Sequence, residues 1–460
     1  MMKQILNADE KLLASYQAKA DAMKEAVLKS ENTVAASRFP GTCYYVSENG
    51  DDACDGLTPE CAVKTLERAA ALPLRAGDAV LFQRGGLFRG TVAAVSGVTY
   101  SAYGEGDKPV ICASRQNFAD PGIWVESSVA DVWRCTLPLN NVGLITFDHD
   151  PRTVGKYDAR LGWLLPGHDA DGYRHLEQAS DLEFWCNLET QTLYLKCAGS
   201  NPGERFRRIE IAENVHAFRI WNGVGQVTID NLHITLCGGH GVSGMLDVYG
   251  LEVRNCIFDY IGGSVWSVPR LIRYGNAVEI YGGCHGYHVF NNWICQIYDT
   301  GITHQCNDCK DLDVTQEDVE YHDNLIEYCF WSIEYYNQRN RTTITRRISV
   351  HDNFCRFGGD GWGCRLRKER IPMYSFAEPA QQTEDYRTEN NIFEFSSGYI
   401  YHHSHYPEAE GSLIFRGNTY IQHRDGNFAL WGKDNIIPFS GAEAFLDSVL
   451  KEEDYTLIRC

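Results

Sequence analysis

The 460-residue chain reads as an all-β protein, a right-handed parallel β-helix with an N-terminal helix and a β-rich inserted excursion. Three observations predict this solenoid. The second half repeats a short β-rich run with an Asn just before its last apolar residues: VTIDNLHI, LEVRNCIF, HVFNNWIC, EYHDNLIE, SVHDNFCR, TENNIFEF and FRGNTYIQ. Those asparagines, Asn231, Asn255, Asn292, Asn324, Asn353, Asn391 and Asn418, lie 24, 37, 32, 29, 38 and 27 residues apart, a variable spacing expected when each coil is one unit and insertions go to loops. Hydrophobic residues make up 44%, enough for a large core and too many for disorder.

The elements follow in order. Over residues 1–38, Leu12, Tyr16, Ala20, Met23 and Val27 recur at helical spacing and predict one amphipathic helix, about residues 8–30, that caps an end of the fold or mediates homo-oligomerisation. Residues 39–115 form the first coils. YYVSENGDDACDG is a strand and a turn-rich loop, TPECAVKTLERAAAL a short helix capped by Thr58 or Pro59, and AGDAVLFQRGGLFRG a turn and an apolar strand. Residues 116–212 break the repeat. SDLEFWCNLETQTLYLKCAGSNP predicts a hairpin, and the whole reads as a β-rich excursion packed on the solenoid, shaping one wall of a cleft. Residues 213–438 are the main coils. In 439–460, GAEAFLDSVLKEEDY predicts a helical cap over an otherwise open solenoid end. Stacked coils place equivalent residues about 4.8 Å apart. The repeated asparagines therefore read as a hydrogen-bonded ladder that satisfies buried amides, not as a site.

Over residues 44–90 the string YYVSENGDD…DG…KTLERA…GDAVLFQRGGLFRG resembles the opening segment of right-handed parallel β-helix proteins of the pectate-lyase-like superfamily. RYGNAVEIYGG, YDTGITHQ and SIEYY resemble segments of its glycoside-hydrolase-like branch, in which acidic residues on successive coils do the chemistry. The resemblance implies the fold and points to Glu279, Asp299 and Glu334. It does not fix the reaction.

The residues themselves lead to the same place. GNAVEIY (275–281), DTGITHQ (299–305) and FWSIEYY (330–336) align with Val278, Ile302 and Ile333 inward. Glu279, Thr303 and Glu334 then stack on the outer face, and Tyr281, Gln305 and Tyr336 one step further along. Asp299 enters the middle coil at its corner. In this alignment the row reads GHGVSGM (239–245) on the coil before and GDGWGCR (359–365) on the coil after, without carboxylates. Crowded carboxyls push at least one pKa up, giving a general acid beside a carboxylate base or nucleophile, the minimum for glycoside hydrolysis. Glu334 is the expected acid, Asp299 the nucleophile or base, and Glu279 the third acidic group. Tyr281, Trp331, Tyr335 and Tyr336 supply stacking surface, His304 and Gln305 bond sugar hydroxyls, and Arg273 and Arg365 orient carboxylates. His304 alternates inward in this register, so a core role competes with the binding one.

The formal charge of 42 − 61 = −19 disfavours nucleic acid, anionic membrane and polyanionic glycans, leaving neutral, plant- or gut-derived oligosaccharides as the expected substrate. A competing lyase on uronate glycans needs a basic residue, usually with Ca²⁺, and no lysine falls on the acidic row. A non-catalytic glycan-binding solenoid is the other alternative. Otherwise no cofactor and no metal are expected: HQCNDC (304–309) offers His304, Cys306 and Cys309, with only Asp308, Asp311 and Asp313 nearby to complete four ligands. Seventeen cysteines without framework spacing, and no apolar leader in MMKQILNADEKLL, predict a reducing cytoplasm. No window approaches a membrane span.

Overall fold

The computed structural model describes residues 3–155, 160–165, 171–221, 223–267, 272–306, 314–337, 343–365, 367, 372–377, 382–403, 412–432 and 434–460. Among them, three long sheets of eleven, ten and ten strands form the walls of a parallel β-helix. Each coil visits them in fixed order. Cys284–Phe290 lies in sheet III, Trp293–Ile297 in sheet I and Thr300–Cys306 in sheet II, after which the chain returns to sheet III at Thr315–His322. The core holds the inward residues of all three, including Val278, Ile302, Ile333, Tyr287, Tyr321 and Tyr335.

The corner between sheets III and I explains the repeated asparagines. Asn291, Asp323, Asp352 and Asn390 adopt positive φ, which Asn and Asp tolerate better than most residues. The residue after each corner is the ladder. The side-chain amide of Asn292 donates to Asn324 Oδ1 (2.9 Å), Asn324 to Asn353 (2.9 Å), Asn353 to Asn391 (3.0 Å), Asn391 to Asn418 (3.1 Å) and Asn418 to Glu452 Oε1 (2.8 Å). Asn231 and Asn255 do not belong to this row. They are themselves the positive-φ corners, at 58° and 53°, and Leu232 and Cys256 take the ladder position after them.

The N-terminal helix, Glu10–Leu28, caps neither end. Strand Gln4–Asn7 pairs in parallel with Thr456–Arg459 at the far end of sheet I, and the helix then runs back along the outer face of that sheet. Ala20 and Val27 are buried, with Leu12, Tyr16 and Met23 beside them, against Ile257, Trp293, Leu325, Phe354, Ile392, Ile421 and Ile458. Nineteen residues give about 28 Å of helix, and the seven strands touched span about 29 Å, so the lengths match. The apolar stripe, expected either to cap an end of the fold or to mediate homo-oligomerisation, is instead buried along the side of the solenoid within the chain. Lys24 fixes the helix by an ion pair with buried Glu327 (2.7 Å).

Short helices close the ends. Leu66–Ala70, N-capped by Thr65, buries Leu66 and Ala69 at the first coils, while Thr58 caps the separate turn Pro59–Cys61. At the other end the turn Ala442–Phe445, continued by Leu446–Leu450, sends Ala442, Phe445 and Leu446 into the core.

Between Val110–Cys112 of sheet I and Phe218–Trp221 of sheet II the chain leaves the solenoid and forms a seven-stranded sheet of its own, with a separate core around Phe118, Phe147 and Phe184. Glu183–Asn187 and Thr192–Lys196 are its antiparallel hairpin. Buried Glu210 accepts from both terminal nitrogens of Arg89 (2.8 Å each), stapling this sheet to the coils. Every described cysteine is a free thiol. No described helix is long and apolar enough to cross a membrane.

Candidate active site

Sheet II presents an outward row, Arg219, Ser243, Glu279, Thr303 and Glu334, paired in register from coil to coil, and the backbone register continues through positions 375 and 402. Strand alternation sends the residues on either side of Glu279, Thr303 and Glu334 into the core, so these three face outward together. Asp299 stands at the corner leading into the middle strand. One residue pair further along, Met245, Tyr281, Gln305 and Tyr336 form a second row.

Each carboxyl has its own setting. Glu334 is 2% exposed, and its Oε2 accepts from Thr300 Oγ1 and from Gln305 Nε2 (3.1 Å each). Burial raises it well above the usual carboxylate range and the charge of Asp299 adds to that, while the Thr300 hydroxyl and Arg367 oppose it. Glu279 is pushed up to about 8 by burial, opposed by the amide of Asn276 and reinforced by Asp299. Its Oε2 accepts from Asn276 Nδ2 and its Oε1 faces His240 Nε2 at 3.2 Å. Asp299 is paired as a carboxylate with Arg367 Nη1 at 2.6 Å. The Arg367 guanidinium lies 3.7 Å from the Phe330 ring centre and within 5.5 Å of those of Trp331 and Tyr298, a setting that holds a planar cation in place. Between the two glutamates the buried Thr303 hydroxyl has no partner among the described residues.

Loops from distant coils build the wall beside this row. The segment after Ile261 makes a two-stranded hairpin, Val265–Ser267 with Ile272–Arg273, before Val278–Tyr281 begins. Its root is tight: a Cβ on Gly275, at φ +134°, would lie 2.1 Å from the Gly262 Cα. Asn141 of the excursion binds the backbone of Val265 through both side-chain atoms (2.6 and 2.9 Å). From the other side the turn Trp362–Arg365 crosses back, donating Trp362 Nε1 to Gln296 O (2.8 Å) and resting on Tyr298. Gly361 permits that crossing, since its Cβ would sit 1.9 Å from Tyr328 O.

The expected ligands of a substrate divide. Tyr281, Gln305, Trp331 and Tyr336 are half-buried on or beside the acidic row, with Gln305 Nε2 already committed to Glu334. His304 and Tyr335 do not face it. They share the inward parity of Ile302 and Ile333, both are wholly buried, and His304 Nδ1 bonds Tyr321 OH (2.9 Å) while its ring stacks on Tyr335. Burial lowers His304 to about 3, so it is a neutral core residue and not a sugar ligand. Among the described residues Arg273 reaches no carboxylate and donates instead to Gly263 O (3.1 Å). The side chain of Arg365 lies outside the described residues, and Arg367 fills the role expected of it. GDGWGCR is a crossing loop, and the strand that follows Glu334 in register is Pro372–Ala377. Cys306 is buried; Asp308, Cys309, Asp311 and Asp313 lie outside the described residues.

Sequence reasoning passed over Asn276, His240, Thr300 and Arg367. The first three carried a signal. Asn276 stands three residues before Glu279, Thr300 directly follows Asp299, and His240 lies in GHGVSGM, the segment set aside for lacking a carboxylate. Arg367 carried none, because it arrives on a loop 68 residues beyond its partner.

No known family profile matches the chain, and no curated protein matches it. Among solved structures it is similar to XylC in complex with xylose, with TM-score 0.54 at 13% identity over 85% of this chain and 69% of that one. It is also similar to a GH136 lacto-N-biosidase from Eubacterium ramulus (TM-score 0.38, 12% identity, 97% and 71%) and to a rhamnogalacturonan lyase (0.43, 9%, 84% and 77%). The likeness to XylC is a likeness of fold, the parallel β-helix.

Proposed function

We propose that this chain is a glycoside hydrolase that cleaves neutral oligosaccharides with side chains alone. The observation that carries the reading is the grouping of three carboxyls beside one row, two of them favouring the protonated form and the third held as the carboxylate half of an ion pair. Glu334 donates its proton to the departing glycosidic oxygen as the bond to the anomeric carbon breaks. Asp299 stabilises the cationic ring carbon, either by bonding to it or by taking a proton from the water that does. Asp299 enters the coil next to that of Glu334 and lies close enough to act on its charge, which suits a retaining pair, whereas Glu279 and Glu334 stack two coils and about 9–10 Å apart. Tyr281, Trp331 and Tyr336 give a neutral sugar apolar faces to lie against.

Net charge −19 and an arginine already paired with Asp299 disfavour a uronate substrate. The free thiols support a reducing cytoplasm as the place of action. The test is release of reducing ends from a panel of aryl glycosides and plant-derived oligosaccharides. Pentose-containing members belong on it, because a fold neighbour is a xylose complex. Asp299→Asn and Glu334→Gln are each expected to lower kcat by about 10²–10⁴-fold with the melting transition retained. Near-normal rates in both variants defeat the assignment. Appearance of unsaturated-uronate absorbance instead, abolished by a chelator, makes the protein a lyase.

A further inference from the structure

The preceding turn of sheet II holds a second polar network, directed at Glu279. His240 Nδ1 accepts from the backbone N–H of Asn276 at 3.0 Å. A ring nitrogen that accepts carries no proton, so neutral His240 bears its hydrogen on Nε2, the atom 3.2 Å from Glu279 Oε1. The ring is held on all sides. Its own backbone N–H donates to His216 Nδ1 (2.9 Å), His216 stacks on it at 4.9 Å and 8°, and Tyr274 meets it edge-on at 4.8 Å. Asn276 supplies the other donor to Glu279 and accepts from the Thr300 N–H (2.9 Å). Among the described residues each oxygen of Glu279 thus faces one donor, Asn276 Nδ2 or His240 Nε2.

We propose that His240 is a positioning residue: its fixed Nε2–H donates to Glu279 and, with Asn276, locks that carboxyl in place on the acidic row so that Glu279 serves the reaction as a second proton-carrying group. This rests on the reading of the acidic row as an active site. The ionisable groups facing Glu279 are His240, with His216 and Arg219 behind it, Tyr274 from the hairpin root, Asp299 from the next corner, Glu334 two coils on, and Tyr287 across the core. Burial lowers both histidines, His216 to about 4 and His240 well below its ordinary value, so the pair stays neutral while Glu279 titrates.

A split between two variants tests the donor. His240→Asn keeps an acceptor for the Asn276 N–H and loses the donor at the Nε2 position. His240→Gln does the reverse. The probe is the pH titration of the Glu279 side-chain carboxyl carbon by ¹³C NMR, assigned with Glu279→Gln, which requires no substrate. Loss of the donor is expected to raise the Glu279 midpoint by roughly one pH unit in His240→Asn, with His240→Gln close to wild type. The alkaline limb of the kcat/KM profile should follow the same order. An unmoved midpoint in His240→Asn, or a larger shift in His240→Gln, overturns the proposal and makes His240 a support of the hairpin root. If the midpoints move as expected and no sugar is cleaved, the hydrolase reading fails and the network stands.

Discussion

Arg367 shows how much of the chemistry depends on a single side chain. Asp299 and Glu334 sit on adjacent coils, and Asp299 pushes the Glu334 carboxyl up while Arg367 pulls it down. The guanidinium therefore sets the balance between the two acids, and its aromatic surroundings keep it there. Arg367→Met retains an unbranched stem against Phe330 and removes the charge. It should cost about 10²–10³-fold in kcat, the scale of losing one fixed electrostatic partner. Stopped-flow single-turnover rates on the best member of the sugar panel measure it, and an unchanged rate would remove Arg367 from the site. Sequence alone reached the row and not the clamp, for a physical reason. Glu279, Thr303 and Glu334 follow from strand alternation and stacking, which are local rules. His304 and Tyr335 obey the same rule with the opposite parity, and parity outweighs their attraction as polar or aromatic ligands. A loop that crosses back over earlier coils obeys no period, so Arg367 stayed out of reach.

At the scale of elements, the ladder and the helix teach different things. The Asn repeat exposed the solenoid because every coil faces the same problem, a buried corner amide with no strand to pair it. Its phase was harder to read, since Asn also favours the positive-φ corner one residue earlier, and in Asn231 and Asn255 that preference decides. A ladder of this kind predicts its own cost of interruption. In Asn353→Ala the backbone N–H and the side-chain amide of Asn324 both lose their acceptor, and Asn391 Oδ1 loses a donor. Asn324 Nδ2 still keeps its bond to Val289 O and Asn391 Oδ1 keeps the backbone N–H of residue 353, so the Asn324 backbone N–H is the group left without a partner, and the variant should lose about 1–3 kcal/mol, read by chemical denaturation. A loss within the range of an exposed substitution would mean that water fills the gap. The helix Glu10–Leu28 was legible as an amphipathic stripe, yet its partner was not. What an apolar face covers is a tertiary fact, and here the surface waiting for it is assembled from seven strands spread over some two hundred residues.

Over the whole molecule, the buried acids tie stability to pH. Glu279 is pushed up to about 8, Glu334 is raised well above its ordinary value, and Glu452, the last rung of the Asn ladder, is pushed up to about 7 by burial. Unfolded glutamates titrate near 4.5. Between that value and the folded ones the native chain keeps protons that the unfolded chain has shed. Stability therefore falls as pH rises through this window and levels off above about 8 for Glu279 and about 7 for Glu452. Each group contributes on the order of a few kcal/mol to that loss. Melting temperatures measured from pH 5 to pH 9 should decline for the wild-type protein. Glu452→Gln keeps an acceptor for Asn418 and cannot ionise, so it should melt higher than wild type at pH 8, match it near pH 4.5, and leave sugar cleavage unchanged. Glu279→Gln should show the same alkaline gain together with lost turnover. A site that evolved only for stability would have no reason to hold the second acid, so gain of stability with loss of rate at Glu279, against gain without loss at Glu452, separates the reacting carboxyl from the structural one. If Glu279→Gln is no more stable than wild type at pH 8, that carboxyl is already ionised in the fold and is not a proton donor at neutral pH.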